Sequence, residues 1–423
     1  MEPFLLKNID LEKSTDIEFY RNNHGYESLK KALTMTPAEI VDIVQRSKLR
    51  GRGGIGILTG VKWSFVLSIK RFPKFLVCNA NESEPGSFKD RILIEKNPHL
   101  VIEGMVIAGF ALGASEGIIY IRDEHVNALN CFAKALEQAY AKGFVGKNIQ
   151  ELLFDFKIKI FSTSGGYICG EETALIESLE GNTGRPRLKP PLPLNEGLWG
   201  RPTVVSNVET FANIPLIISI GAEKYIKIGE SESPGPKLFS VSGCVNKPGL
   251  YELPMGAYLR DIIHYHAGGI KGNNRLKAVF PGGVSSAIFS ADEIDCPMDF
   301  DSLPGYGSRL GTGAIIVFDE SICMVKVAWR VMKFFEKESC GKCTPCREGV
   351  SWLRKILECI EMGQGEKGDI DLLLDVIEKI SDNTFCPLGD NAASTLKSII
   401  KNFLYEFEKH IDLKECSFSS SEN

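Results

Sequence analysis

The sequence is poor in three features, and each scarcity argues against a class of protein. Its best candidate for a membrane helix, residues 100–114, is shorter than the roughly 20 residues that cross a bilayer and contains Glu103. The formal net charge of −5 provides no basic excess for nucleic acid or an anionic membrane surface. Twelve cysteines in 423 residues are too few for a disulfide scaffold, which indicates a reducing compartment. We expect no signal or transit peptide, because the first residues lack a basic start and a long apolar run.

Alternating strand-like and helix-like segments make up the first half of the chain. Runs rich in β-branched and aromatic residues at 74–80, 116–122 and 156–161 predict strands, and stretches at about 100–114 and 126–142 predict helices between them. This alternation is typical of an α/β fold in which helices cover both faces of a mostly parallel sheet.

The second half changes character after ESPGPK at 232–237, which we interpret as a linker. Short strand-like runs around one helix at about 256–265 predict a small α+β module. From Cys323 onwards, apolar residues recur with helical spacing in four segments, which predicts a four-helix bundle. The predicted organisation is a polar N-terminal lead-in at 1–35, the α/β domain at 36–232, the module at 233–320, the bundle at 321–412 and a disordered tail at 413–423.

Residues 51–56, GRGGIG, match the G-x-G-x-x-G pattern of a dinucleotide-binding turn. That pattern holds phosphates only when a strand enters it and a helix leaves it. Here Thr36, Pro37 and Glu39 are the residue types of a helix start with a capping box, so we expect a helix before the glycines. The pattern by itself therefore does not establish a dinucleotide-binding turn.

Four of the cysteines are spaced as in an iron–sulfur site. Cys340, Cys343 and Cys346 follow one another at two-residue gaps in ESCGKCTPCREG, and Cys386, followed by Pro387, is the candidate fourth ligand. Three thiolates on one tight loop suit the corners of a [4Fe–4S] cubane. Zinc, which usually takes two separated cysteine pairs, and unliganded thiols remain the alternatives. We expect the other cysteines to be buried structural thiols.

Segments 78–91, 164–191 and 201–215 are dense in glycine, asparagine and glutamate. Glycines let a backbone approach a flat ring or a phosphate, and asparagine amides offer the paired donors and acceptors that suit a flavin or its ribityl chain. The candidates are Asn79, Asn81 and Asn207, with Lys62 to neutralise a phosphate. The alternatives are turn asparagines, a solvated lysine, and a solvated acidic face made of Glu82, Glu84, Glu171 and Glu172.

Five motifs follow one another along the chain: GRGGIGILTGVKW, CNANESEPGSFKDR, YICGEETALIESLEG, NVETFANIP and ESCGKCTPCREG. In this order they resemble the NADH-binding flavoprotein component, the F subunit, of respiratory complex I, across nearly the whole chain. The resemblance implies a Rossmann-like domain whose glycine loop serves FMN and NADH together, a β-grasp-like module of the soluble-ligand-binding type, and a helical domain with the [4Fe–4S] cluster. The implied cluster ligands are the four cysteines already selected from their spacing.

Carried over position by position, the resemblance implies contacts to both nucleotides. The FMN contacts would be Gly51, Gly53, Lys62, Asn79, Asn81, Glu82, Tyr167, Gly170, Glu171, Glu172, Asn207 and Thr210. The NADH contacts would be Phe65, Glu84, Glu172 and Lys189, with Glu84 and Glu172 positioning the nicotinamide. No side chain need act as an acid or base, because the cofactors carry the chemistry.

The chain departs from the family pattern near these positions. Asn81 stands where the family usually has Asp, which keeps the shape but removes a charge beside the flavin. Of the aromatic residues around adenine, Phe65 remains, whereas Ile57 and Leu192 occupy the other two places. These departures bear on the affinity for nucleotide rather than on the chemistry.

The resemblance implies an NADH dehydrogenase of a proton-translocating NADH-quinone oxidoreductase, passing a hydride to FMN and then single electrons to the cluster. The expected partners are other hydrophilic subunits, especially a thioredoxin-like [2Fe–2S] subunit and a multi-cluster iron–sulfur subunit. The chain would meet the membrane only through this complex, at the cytoplasmic face of a bacterial inner membrane. Two alternatives remain: the diaphorase subunit of a NAD-reducing hydrogenase or formate dehydrogenase, whose chains often carry extensions, and an electron-relay subunit with a decayed nucleotide site.

Overall fold

The N-terminal segment is part of the main core in the computed structural model, which describes residues 2–230, 232–416 and 418. Helices α1 (Ile17–Asn22) and α2 (Glu27–Leu33) bury apolar side chains there. The buried Glu103 carboxylate accepts hydrogen bonds from the backbone N–H groups of Tyr26 at 3.0 Å and Leu29 at 2.9 Å. The prediction of a polar lead-in at 1–35 is therefore wrong. The sequence did not reveal this packing because Glu103, whose carboxylate holds the segment, lies 74 residues beyond Leu29.

Two helices flank the glycine-rich loop. α3 (Pro37–Arg46) begins with the expected capping box between Thr36 and Glu39, and α4 (Thr59–Ser68) follows the loop. The first described strand begins only at Phe75. This order confirms that a helix, not a strand, enters the glycine pattern.

The sheet of the α/β domain consists of four parallel strands: β1 (Phe75–Ala80), β2 (Glu116–Arg122), β3 (Lys157–Thr163) and β4 (Thr203–Asn207). Their order is β3-β2-β1-β4, so β1 has a neighbour on each side. The remaining helices of this domain are α5 (Lys89–Lys96), α6 (Pro98–Leu112), α7 (Val126–Ala141), α8 (Glu172–Leu179), α9 (Pro193–Glu196), α10 (Val208–Ile220) and α11 (Ala222–Tyr225).

Helices cover both faces of this sheet. Leu76 and Cys78 of β1 join the core that contains α6 and α10, whereas Val77 joins a second core with Leu175 and Ile176 of α8. The fold class and the three strands expected from the sequence are confirmed. Strand β4 was not expected, because its segment was interpreted only as a source of ligand contacts.

The module contains a five-stranded sheet in the order β6-β5-β9-β7-β8. Its elements are β5 (Pro236–Gly243), β6 (Gly249–Pro254), α12 (Leu259–Asp261, continued by a π turn at Ile262–His266), β7 (Leu276–Phe280), β8 (Phe289–Ser290) and β9 (Ala314–Asp319). The interpretation of 232–237 as a linker is wrong at its end: Pro236 already begins β5, and buried Lys237 forms an ion pair with buried Glu209 of α10 at 2.8 Å.

The C-terminal region is the expected four-helix bundle, formed by α13 (Met324–Glu338), α14 (Val350–Glu361), α15 (Asp369–Ile380) and α16 (Pro387–Leu413). Their apolar stripes meet in one core because each stripe repeats with helical spacing. The predicted disordered tail at 413–423 needs correction: Leu413 is helical, and Cys416 and Phe418 pack against the bundle core. Residues 417 and 419–423 lie outside the described residues. Among the helices that the structure describes, none has the length and hydropathy to cross a membrane.

Candidate functional site

A cavity of about 420 Å³, here called the sheet-edge cavity, lies where the carboxyl ends of β1 and β4 meet the module and the bundle. Parallel strands leave such a crevice at their carboxyl edge. Nine of the residues proposed from the sequence line it: Gly53, Asn79, Asn81, Glu82, Glu84, Tyr167, Gly170, Glu171 and Asn207.

The other proposed contacts are not on this wall: Gly51, Lys62, Phe65, Glu172, Lys189 and Thr210. Two of them hold the glycine loop. The Gly51 N–H donates to the Ile57 carbonyl at 2.8 Å, and the buried Thr210 hydroxyl accepts from the Arg52 N–H at 2.8 Å. The loop is thereby fixed against α10.

Three more of them form a charged cluster next to the cavity. Lys189 Nζ lies 3.0 Å from Glu172 and 2.7 Å from Glu171, and Lys62 Nζ lies 3.8 Å from Glu172. Lys62 also donates to the Val205 carbonyl at 2.7 Å, and burial lowers its pKa. Glu171 joins this cluster to the sheet-edge cavity, because it belongs to both.

Three large apolar side chains are open to solvent. Phe65, Ile57 and Leu192 are 46%, 50% and 47% exposed. Helix α4, which carries Phe65, packs against α9, whose N-cap is Leu192. These are the positions at which the family resemblance implies contacts with adenine.

The asparagines are placed by the parallel register of β1 and β4, in which Asn79 and Asn207 are partners. Asn79 Nδ2 donates to the Gly170 carbonyl at 2.9 Å, and Asn207 Nδ2 donates to Asp90 at 2.6 Å. A Cβ added to Gly53 would lie 3.1 Å from the Asn207 Cβ. Glycine at position 53 therefore lets the loop approach the strand ends closely.

Two acidic residues on the wall have definite structural partners. Glu82 accepts hydrogen bonds from the first N–H groups of α5, those of Asp90 at 3.1 Å and Arg91 at 2.9 Å. Glu84 is buried, accepts from the Ser285 N–H at 2.9 Å, and has a pKa that burial raises. A solvated acidic face therefore does not describe this pair.

Unsatisfied polar atoms on the wall fit a polar planar ligand. Among the described residues, the buried atoms Asn81 Oδ1, Thr312 Oγ1 and Asn391 Oδ1 have no hydrogen-bond partner in the protein, and all three residues line the sheet-edge cavity. Buried polar groups normally find a partner. Together with the glycine cradle at Gly53, these atoms fit the edge of a flavin.

Apart from Cys386, sequence reasoning missed the part of the wall that comes from the module and the bundle. It includes Ser285, Phe300, Arg309, Thr312 and Asn391, and Arg309 is the one basic residue among the described residues of the wall. The turn PGGVSS at 281–286 is the signal that could have revealed this side. At Gly283, with φ of +96°, an added Cβ would lie 2.4 Å from Glu84 Oε1.

The four motif cysteines line a second, small space of about 10 Å³, here called the cysteine cavity. Cys340, Cys343 and Cys346 come from the loop between α13 and α14, and Cys386 is the N-cap residue of α16. Burial, with the neighbouring cysteines contributing, raises the pKa of Cys346 to about 11 and that of Cys386 to about 12. Four thiols gathered in this way suit a metal centre, which binds them as thiolates.

Their spacing favours a cluster over a single ion. A tetrahedral zinc ion requires ligand atoms about 3.3–3.8 Å apart, given metal–ligand distances near 2.0–2.3 Å. In the described part of the chain, no three of these four sulfur atoms lie within 4.8 Å of one another. A cubane places its thiolates on different irons and so holds them further apart.

Three family models match successive parts of the chain. The "Nuo51 FMN-binding domain" model matches residues 44–216, the "SLBB domain" model 237–317, and the "NADH-ubiquinone oxidoreductase-F iron-sulfur binding region" model 326–410. The first match contains the β1–β4 sheet, and the last contains all four motif cysteines. An FMN-binding domain and a [4Fe–4S]-binding region therefore occupy the places where the two cavities lie.

The whole chain is similar to curated proteins. It is 49% identical to the second F subunit of the NADH-quinone oxidoreductase of Rhizobium meliloti, covering 99% of each chain, and 48% identical to the F subunit of Aquifex aeolicus, covering 96% and 94%. It is also 45% identical to the NADP-reducing hydrogenase subunit HndC of Solidesulfovibrio fructosivorans, covering 95% of this chain and 81% of that protein.

Among solved structures, an NAD⁺-reducing [NiFe]-hydrogenase in its H₂-reduced state has a chain with a TM-score of 0.84 and 35% identity. That match covers 96% of this chain and 66% of the hydrogenase chain. Identity near one half over full length, with three domain matches in the expected order, decides the assignment. The chain belongs to the family of F subunits of NADH-quinone oxidoreductase.

Proposed function

We propose that this chain is the electron-input subunit of an NADH-quinone oxidoreductase: it oxidises NADH and passes the electrons one at a time to partner subunits. When bound, FMN accepts a hydride and gives up single electrons, which a [4Fe–4S] cluster can carry. The protein itself binds, orients and separates these groups.

The shared wall of the two cavities is the observation that carries the proposal. Ile168, Cys386 and Leu388 line both the sheet-edge cavity and the cysteine cavity. A cofactor in the first space would therefore be separated from a cluster in the second by single side chains. That proximity suits electron transfer without a diffusing carrier.

In this proposal the cavity residues other than Glu84 surround FMN, together with Lys62 and Glu172 of the adjoining charged cluster. NADH would contact Glu84, Glu172, Lys189 and Phe65. Glu84 and Glu172 would position the nicotinamide, Lys189 would supply positive charge to NADH, and Phe65 would contact adenine. Lys62 would supply positive charge to the FMN phosphate. The support for Glu84 is its burial on the cavity wall, and that for Lys189 is its pairing with Glu171 and Glu172. Gly51 and Thr210 would act by holding the glycine loop.

The remaining parts of the proposal concern the assembly. The named relatives are subunits of larger enzymes, which supports a chain that works with partners. The proposed partners are a thioredoxin-like [2Fe–2S] subunit and a multi-cluster iron–sulfur subunit. The proposed place is the cytoplasmic face of a bacterial inner membrane, reached only through the complex.

A diaphorase role in a hydrogenase is the second candidate, and the similarity to the HndC protein and to the NAD⁺-reducing hydrogenase favours it. Both candidates share the flavin and cluster chemistry and differ in the partner that receives the electrons. The F subunits of Rhizobium meliloti and Aquifex aeolicus match at higher identity than HndC and over nearly their full length, which favours the first candidate.

The acceptor specificity of the purified chain tests the proposal. With NADH, it should reduce a soluble artificial acceptor such as ferricyanide but not a hydrophobic quinone. Quinone reduction at a comparable rate would refute the dependence of this chain on partners. If a preparation that retains flavin and iron reduces neither acceptor, the alternative of a decayed nucleotide site is supported instead.

A further inference from the structure

A second group of metal-ligating side chains lies in the bundle, apart from the four motif cysteines. It consists of Cys323, Glu361, His410 and Cys416, which each offer one ligand atom, all within 4.8 Å of one another. Cys323 and His410 are buried, and the other two are partly buried. The four residues come from the N-cap of α13, the end of α14, the last turns of α16 and the segment after it.

The three distances among Cys323, Glu361 and His410 are those of a tetrahedral metal site, and the sulfur atom of Cys416 lies within 4.8 Å of each. Cys323 Sγ lies 3.4 Å from His410 Nε2 and 3.8 Å from Glu361 Oε2, and His410 Nε2 lies 3.8 Å from Glu361 Oε2. Metal–ligand bonds of 2.0–2.3 Å give tetrahedral edges of about 3.3–3.8 Å. A single ion at the centre would reach all of these atoms without a large rearrangement.

The orientation of His410 is also that of a metal ligand. Its Nδ1 lies 2.7 Å from the Glu406 carbonyl oxygen, which can only accept, so the proton is on Nδ1 and the Nε2 lone pair faces Cys323. Ligating histidines usually donate their second ring N–H to such a carbonyl. Glu406 is itself fixed, because its carboxylate accepts from the Met324 N–H at 2.8 Å.

We propose that Cys323, Glu361, His410 and Cys416 bind one structural zinc ion. Two thiolates, an imidazole and a carboxylate are typical zinc ligands, and a site filled by four protein ligands leaves no open position for a substrate. The group opens onto a cavity of about 520 Å³, whose wall includes Cys323, Glu361, Cys416 and the basic residues Lys326 and Arg330. That cavity gives the ion a path of entry, and the two basic residues offset the remaining negative charge.

The position of the site indicates its role. Helix α13 begins at Cys323 and ends near Cys340, and α16 begins after Cys386 and reaches His410 near its end. With 15 residues in α13, the two sites lie about 22 Å apart along this helix. The zinc ion would tie the four chain segments together at the end of the bundle remote from the iron–sulfur cluster.

Metal analysis of the full holoprotein, purified without chelators, tests this proposal. We expect one zinc per chain in addition to the cluster iron. His410→Ala and Cys416→Ser should each lose the zinc and retain the iron, whereas Cys386→Ser should lose the iron and retain the zinc. Cys359→Ser is the matched control, because Cys359 is an exposed cysteine on the same helix as Glu361. Wild-type protein without zinc, or zinc unchanged in both site variants, would overturn the proposal.

Two measurements on the wild-type chain decide the matter even if the variants fail to fold. After removal of zinc with a chelator, added Co²⁺ should give the absorption bands of a tetrahedral thiolate site, and added Zn²⁺ should abolish them. A thiol count in denaturant should be the same with and without reductant. Two additional thiols after reduction of the wild type, with no increase in Cys416→Ser, would show a disulfide at Cys416 and would also overturn the zinc site.

Discussion

Glu84 and Ser285 join the α/β domain to the module across the sheet-edge cavity: the Ser285 N–H donates to the Glu84 carboxylate at 2.9 Å. The two residues are 201 positions apart, and both line the cavity. The close approach depends on Gly283, where any Cβ would collide with the carboxylate. The module therefore helps to build the proposed nucleotide site and is more than an appendage to it.

The first prediction concerns the cluster. Cys386→Ala should lose most of the iron while retaining FMN, because the fourth thiolate is missing but the asparagines and glycines proposed to hold the flavin remain. Iron and flavin contents of the purified variant are the measurement. Cys169→Ala is the control: Cys169 is buried beside the α8 core and should leave the iron content unchanged. Full iron content in Cys386→Ala would show that another residue completes the site.

The second prediction concerns the unsatisfied amide oxygen of Asn81. Asn81→Ala should bind FMN about 10-fold more weakly, since a hydrogen bond contributes about 1–1.5 kcal/mol and each 1.4 kcal/mol corresponds to a factor of ten. Equilibrium dialysis of the reconstituted flavin measures this. Asn182→Ala, an exposed asparagine away from the cavity wall, should bind FMN normally. Equal affinity in both variants would remove Asn81 from the flavin site.

The third prediction concerns the exposed apolar residues at the proposed adenine site. Leu192→Phe and Ile57→Phe should each lower the KM for NADH about 2- to 10-fold, because an aromatic contact adds roughly 0.5–1.5 kcal/mol beyond its buried area. The kcat should barely change, since adenine is remote from the transferred hydride. Phe65→Ala should raise the KM with little change in kcat.

Steady-state kinetics on these three variants checks the placement of adenine. Leu153→Phe is the control, since Leu153 is fully exposed and outside the proposed site. An unchanged KM in both phenylalanine variants, with a lower kcat in Phe65→Ala, would mean that adenine binds elsewhere.

The fourth prediction concerns stability. Glu103→Ala leaves two buried N–H groups, those of Tyr26 and Leu29, without their acceptor. We expect the free energy of unfolding to fall by about 3 kcal/mol, which lowers the thermal midpoint of the α/β domain by roughly 6–12 °C. Circular dichroism during heating measures the midpoint. Glu137→Ala, at an exposed position of α7, should melt within about a degree or two of the wild type, as surface substitutions usually do.

Glu103 also makes stability depend on pH. Burial raises its pKa in the folded chain above the ordinary value of 4.5, so the folded state binds more protons than the unfolded state between those two values. The part of the stability that comes from protonation of this carboxyl is therefore full below pH 4.5 and is lost as the pH rises through the raised pKa. Glu103→Gln should lack this dependence of stability on pH. An identical dependence in Glu103→Gln and the wild type would contradict its assignment to Glu103.

The parts of this structure that the sequence predicted are those encoded locally. The helix start at Thr36 needs only three neighbouring residues, and three of the four cluster cysteines share one loop. The contacts that were missed span long stretches of chain, such as Glu103 with Leu29 and Glu84 with Ser285. The group around Cys323 and His410 was missed for the same reason, since 87 positions separate the two residues.

The proposed site residues came from two sources: segment composition singled out Lys62 and the asparagines, and the family resemblance added others such as Lys189. Of these, the structure brings the asparagines and Glu84 onto one wall, because β1 and β4 end side by side. It leaves Lys62, Glu172 and Lys189 in an adjoining cluster. Lys62 lies on α4, Glu172 begins α8 and Lys189 lies between α8 and α9, so spacing along the chain does not reveal that the three residues meet.

The central claim is that electrons from NADH enter at the sheet-edge cavity and reach the cluster through the wall that includes Cys386. Anaerobic addition of NADH to the purified chain, followed by absorption and electron paramagnetic resonance spectra, tests it most directly. We predict bleaching of the flavin bands together with the signal of a reduced [4Fe–4S] cluster, and flavin bleaching alone in Cys386→Ala. Flavin bands that stay unbleached in wild-type protein containing both cofactors would contradict the account.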